Sequence, residues 1–149
     1  MRSPGPGRGH DVSAPLERPN AVDGHGRKTG EWAEPDPHGG LMVGTYVDGE
    51  RHGTWRHFSA GGALRSEGGY DRGVLHGPWT WYRATGGLLQ RGGFAHGDKH
   101  GYWERWTAAG TLVDSGHWEH GRKTGEWTYY DTDGSIRKTT THRPRPPRG

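Results

Sequence analysis

The chain has 149 residues, no cysteine, 29 glycines and a 28% apolar content, so a thick aliphatic core is excluded and any core must rest on its 16 aromatic side chains. The lack of cysteine excludes a disulfide framework and thiolate catalysis, and no apolar run approaches the ~18 residues of a membrane-spanning helix. The net charge of +3 lies wholly in the last eleven residues, on Arg143, Arg145 and Arg148. Residues 24–138 carry 14 basic and 14 acidic side chains, so the folded part lacks the basic surface a nucleic acid requires.

Residues 1–23 are rich in Pro, Gly and Arg without periodicity, a composition that predicts a disordered segment. The first residues also lack the apolar stretch of a secretory signal, so the expected location is cytoplasmic. From residue 24 a motif recurs. The octamer His25-Gly26-Arg27-Lys28-Thr29-Gly30-Glu31-Trp32 returns unchanged as His120-Gly121-Arg122-Lys123-Thr124-Gly125-Glu126-Trp127. Between them Gly-x-Trp recurs at Trp55, Trp79 and Trp103, giving steps of 23, 24, 24 and 24 residues. A fixed period of this length marks a repeat array. The repeats span residues 24–46, 47–70, 71–94, 95–118 and 119–142, and 143–149 form a basic tail expected to be disordered. Repeat one is one residue short and carries Pro35 and Pro37, as an end-capping unit can.

Within each repeat a turn glycine (Gly49, Gly73, Gly97 or Gly121) leads to Gly-x-Trp and a short strand. A second turn glycine follows at Gly39, Gly62, Gly86, Gly110 or Gly134, then an aliphatic residue and a strand that closes on Tyr46, Tyr70, Phe94 or Trp118. Glycine-bounded runs of five to seven residues rich in Trp, Tyr, Thr and Val predict β-hairpins, and glycine every few positions opposes helix. The expected fold is all-β: an elongated, single-layer antiparallel sheet of about five tandem 24-residue hairpins, hence about ten strands.

Gly-x-Trp, the aromatic three residues on (Phe58, Tyr82, Trp106, Tyr130), the mid-repeat Gly with its aliphatic, and the closing aromatic together resemble the MORN repeat. More closely they are similar to its bacterial variant, found in antitoxins of the YwqK type. The resemblance covers residues 24–142. It implies a non-catalytic repeat scaffold that binds another protein, with a toxin as the partner in an antitoxin or immunity-type module. A second copy of the chain is the other protein partner considered. The alternative is peripheral binding to an anionic membrane surface through aromatics and the basic tail, where three arginines contribute roughly 3 kcal/mol.

No residue set predicts catalysis, a cofactor site or a metal site. His52, His76 and His100 form a column, but equivalent positions two strands away lie about 10 Å apart, too far to share a zinc ion. His117-Trp118-Glu119-His120 has the wrong spacing for a zincin, Ser115 lacks the glycine elbow of a hydrolase, and Gly26-Arg27-Lys28-Thr29-Gly30 lacks the glycine directly before the lysine of a phosphate loop.

The key tryptophans are expected to form a buried column interleaved with glycines. Three is an odd step along a strand, so Phe58, Tyr82, Trp106 and Tyr130 should lie on the opposite face unless a bulge intervenes. That second column, with Arg56, Arg83 and Arg105 alongside, is the expected docking strip for a protein partner, because Tyr, Trp and Arg dominate binding hot spots.

Overall fold

The computed structural model describes residues 19–143. Of the segments expected to be disordered, 1–23 and 143–149, residues 1–18 and 144–149 lie outside the described residues. Eleven strands follow one another in a single antiparallel meander whose spatial order is the chain order. They are β1 (Ala21–Val22), β2 (Lys28–Pro35), β3 (Leu41–Val47), β4 (Glu50–Phe58), β5 (Leu64–Asp71), β6 (Val74–Tyr82), β7 (Leu88–Ala95), β8 (Asp98–Trp106), β9 (Leu112–Glu119), β10 (Arg122–Tyr130) and β11 (Ile136–His142). At about 4.8 Å per strand spacing, the ten intervals extend roughly 48 Å.

Two kinds of turn alternate. Within a repeat, the chain reverses through four residues such as Ser59 to Gly62, closed by Gly62 N–H to Ser59 C=O at 2.9 Å and Ser59 N–H to Ala63 C=O at 2.8 Å. Gly62 takes φ 89°, which an L side chain resists. Between repeats, a two-residue turn puts both central residues at positive φ: Asp48-Gly49, Arg72-Gly73, His96-Gly97 and His120-Gly121. That pairing is the type I′ geometry whose twist matches antiparallel strands.

The strands are longer than the five to seven residues expected, because β4, β6, β8 and β10 run unbroken from the inter-repeat turn through Gly-x-Trp. They do so by bulging against the strand before. Between β3 and β4, for example, Val43 faces Arg56 and Thr45 faces His52, so four steps on β4 are matched by two on β3. The same offset separates β7 from β8 and β9 from β10, and a similar one β5 from β6.

The amino-terminal boundary differs from the one expected at residue 24. Ala21 and Val22 pair with Thr29 and Lys28. Asn20 continues the edge with its side chain, accepting from Ala33 N–H at 2.8 Å and donating to Ala33 C=O at 3.2 Å. An exposed strand edge offers unpaired N–H and C=O groups, so residues ahead of the repeat are recruited to cover it. The strand count therefore rises from ten to eleven.

Candidate functional site

One face of the sheet is built by the key tryptophans. Trp55, Trp79, Trp103 and Trp127 are 2–7% exposed and make up most of the buried apolar set. Each ring lies flat across a glycine of the preceding strand. A Cβ at Gly44, Gly68, Gly92 or Gly116 would come within 2.2, 1.9, 2.0 or 2.3 Å of its indole. The indole N–H groups donate to Thr45, Gly69, Gly93 and His117 carbonyls at 3.0–3.1 Å, beside the point where the bulge interrupts the ladder. The bulge, the glycine and the tryptophan thus form one unit. The bulge shifts the strand, the glycine admits the ring, and the ring supplies a donor where ladder pairing is interrupted.

The closing aromatics share this face and fill the gaps edge-on. Trp32, Tyr46, Trp55, Tyr70 and Trp79 follow one another at centroid distances of 5.1–6.4 Å and interplanar angles of 76–84°. Phe94 continues the series between Trp79 and Trp103, and Trp118 meets Trp127 at 5.7 Å. Edge-to-face pairs of this kind add ~0.5–1.5 kcal/mol each beyond area burial.

The position four residues before each key tryptophan recurs, and its cations lie over the rings. It holds a cation in four repeats, Lys28, Arg51, Lys99 and Lys123, and Leu75 in the third. Lys28 sits 4.7 Å from the Trp32 centroid, Arg51 4.3 Å from Trp55, Lys99 4.8 Å from Trp103 and 4.6 Å from Trp118, and Lys123 4.5 Å from Trp127. The periodicity of these cations was present in the sequence, but their place over the rings depends on register.

The two ends of this face differ in charge. Near repeat one, Glu34 accepts from Lys28 Nζ at 2.6 Å, Arg51 Nη2 at 3.2 Å and Tyr46 Oη at 2.8 Å. Burial pushes the Glu34 carboxyl up, yet the Lys28 and Tyr46 hydrogen bonds outweigh it and hold the group below its ordinary value. In turn, the Glu34 hydrogen bond raises Lys28. Between repeats four and five, Lys99, Arg105, Asp114 and Lys123 surround a groove of about 210 Å³ walled by Trp103, Trp118 and Trp127. Arg105 grips the buried Asp114 through Nε at 3.0 Å and Nη2 at 2.6 Å. Burial lowers Lys99, and the neighbouring charges of Arg105 and Lys123 lower it further.

On the opposite face stand Trp106 and Tyr130, as the odd step requires. Arg91 lies 5.3 Å over the Trp106 ring while pairing with Glu104 at 3.1 Å, and Tyr130 Oη lies 3.4 Å from Ser115 Oγ. Phe58 and Tyr82 hold the same step in β4 and β6, and all four side chains are half-buried. Each of these residues follows a register shift against the strand after it. Beside them an open trough of about 530 Å³ crosses the Gly92-Gly93 backbone between Pro78 and Thr80 on one side and Tyr102 and Glu104 on the other. Tyr102 is 49% exposed and leans on His117 at 5.2 Å.

The three arginines expected beside this column separate. Arg56 is one step past Trp55 and pairs with Glu67 at 3.0 Å across β4 and β5. Arg105 is instead two steps past Trp103, an even number, and lies on the tryptophan face against Asp114. Arg83 leaves the strand altogether. It opens the repeat-three turn and its Nη2 donates to the Trp106 carbonyl at 2.9 Å, with Nε buried and without a protein partner. The histidine column is not drawn together: His52 lies 3.9 Å from Asp71, and His100 meets His120 at 5.3 Å with the rings tilted by 44°. Among the described residues, no three His, Cys, Asp or Glu side chains are grouped to hold a metal ion.

A family model described as the MORN repeat variant matches residues 123–143, the segment that begins at Lys123 and runs through β11. This match supports the MORN-repeat reading of the array. No curated protein matches the chain significantly.

Proposed function

We propose that the protein is a non-catalytic repeat scaffold that binds another protein through the sheet face opposite the tryptophan column. The docking strip runs along Phe58, Tyr82, Trp106 and Tyr130, with Arg56 beside it. Arg105 and Arg83 leave the strip, since one faces the other way and one braces a turn. The observation that carries the reading is the open trough over Gly92-Gly93, flanked by exposed Tyr102 and by the Arg91–Glu104–Trp106 cluster. Glycine backbone at its floor lets a partner chain approach closely, and aromatic and arginine side chains at its rim are the residue types on which binding energy concentrates.

The finer reading, an antitoxin or immunity-type module that neutralises a toxin, follows from the similarity of the repeat. Its test is a pull-down with the product of the adjacent gene as bait. Tyr82→Ala with Trp106→Ala should leave the circular dichroism spectrum β-rich and abolish capture. Unchanged capture would move the site to the tryptophan face or to a sheet edge. Binding to anionic vesicles in place of protein, lost on removing the arginine-bearing tail, would favour the membrane-surface alternative.

A further inference from the structure

Repeat one contains, within the chain itself, an example of what the cation column can hold. The Glu34 carboxylate is seated between Lys28, four residues before its own key tryptophan, and Arg51, four residues before the next. The aromatic closing that repeat, Tyr46, lies beside it and donates its hydroxyl at 2.8 Å. In repeat four the corresponding positions are Lys99, Lys123 and Trp118. There the residue equivalent to Glu34, two steps past the key tryptophan, is Arg105, and the residue paired across from it is Asp114 where repeat one has Met42.

The exchange changes the balance. In repeat one, two cations face one carboxylate. In repeat four, three cations (Lys99, Arg105, Lys123) face one carboxylate, Asp114, and both Asp114 oxygens are engaged by Arg105. Among the described residues, Lys99 Nζ has aromatic faces around it and no carboxylate within ion-pair distance. Lys123 Nζ meets the Tyr129 hydroxyl at 3.1 Å, and Lys138 adds a further cation 5.1 Å from the Tyr129 ring.

We propose that the groove lined by Lys99, Trp118, Lys123 and Trp127 binds a carboxylate from an acidic segment of a partner polypeptide, seated between the two lysines as Glu34 is seated between Lys28 and Arg51. A glutamate presents its aliphatic stem to the indole faces and its carboxylate to the ammonium groups, which matches both components of the groove. Lys99 is lowered first by burial and then by the charges of Arg105 and Lys123, and an incoming carboxylate would relieve that repulsion among the three cations. The inference adds a second contact surface on the face opposite the docking strip. It rests on the scaffold reading only in taking the occupant to be a polypeptide.

The test is titration of the full chain with a hexaglutamate peptide, followed through the indole N–H signals of Trp118 and Trp127, with hexalysine as the opposite-charge control. Saturable shifts at those two indoles are expected. Lys99→Gln with Lys123→Gln should weaken binding about tenfold or more. Arg105→Glu with Asp114→Met transplants the repeat-one residues, so it should keep the fold and fill the seat from within, with the same loss of binding. No binding by the unaltered chain, or equal binding by either double variant, would overturn the proposal. Equal shifts with inorganic phosphate would replace it with a general anion site, and equal shifts with anionic vesicles would replace it with a lipid surface. Failure in this titration, with capture in the pull-down present for the unaltered chain and lost in the Tyr82→Ala, Trp106→Ala variant, would sink the groove and spare the scaffold.

Discussion

At one end of the tryptophan face the chain satisfies its own cations, and at the other, among the described residues, Lys99 has aromatic faces but no carboxylate within ion-pair distance. Glu34 binds Lys28, Arg51 and Tyr46 together, which ties repeat one to repeat two through charge-assisted bonds over an aromatic floor. Around Lys99 and Lys123 the same floor and the same cation spacing recur, but Arg105 replaces the carboxylate and is occupied by Asp114. The two ends have one architecture, with two cations to one carboxylate at the first and three to one at the second. The residue two steps past each key tryptophan varies, as Glu34, His57, Trp81, Arg105 and Tyr129, while the tryptophan column persists. The middle repeat makes the same point differently: Leu75 and Trp81 occupy the variable positions there, and Trp81 stacks on Trp79 at 5.6 Å.

The ring column itself should behave alike at both ends except where coverage differs, and its loss has the largest expected effect. Trp103 is 3% exposed and covered on both sides, so Trp103→Ala should cost about 3–5 kcal/mol in urea unfolding. Trp32 is half-buried at the array end and should cost measurably less. An equal cost would mean that the column does not have a stronger centre.

Gly92→Ala comes next, at about 1–3 kcal/mol, because its Cβ would collide with the Trp103 ring. Gly92 is a spatial requirement. Gly101, by contrast, has open space around it and φ 92°, so alanine there is opposed by the backbone alone. A fluorescence change of the buried indole in Gly92→Ala, absent from Gly101→Ala, would separate the two causes.

Glu34→Gln bears directly on the difference between the ends. It leaves Lys28 and Arg51 without their anion and should cost about 1–3 kcal/mol. It should also give the amino-terminal end a new affinity for hexaglutamate, measurable at the Trp32 indole. Stability lost without such binding would show that the cation pair alone does not make a seat.

The smallest effect is the acid sensitivity that Asp36 contributes at the amino-terminal end. Asp36 is lowered from 3.8 to about 2, first by its hydrogen bond with His57 and then by the Gly40 backbone N–H. A carboxyl depressed on folding adds stability that is complete above its unfolded value and is lost as pH falls through its folded one. The loss should therefore fall between about pH 4 and pH 2, and Asp36→Asn should flatten the unfolding midpoint in that window.

The repeat length, the hairpins, the turn glycines and the burial of the tryptophan column are legible in the sequence alone. Each depends on residues within a few positions of one another: Gly-x-Trp sets a strand, and Asp48-Gly49 or Asp133-Gly134 sets a turn. The face of Trp106 and Tyr130 also followed from strand alternation. Arg105 neighbours Trp106 in sequence, but its even step from Trp103 puts it on the other face. What only the tertiary structure decided are the encounters across the boundaries of the repeats. Arg51 reaches Glu34 across 17 residues, Arg83 reaches the Trp106 carbonyl across 23, and Ala21 supplies the acceptor for Trp32 that no earlier repeat could provide. Such contacts depend on the bulges, which offset one strand against the next and so determine which side chain of one repeat meets which of its neighbour.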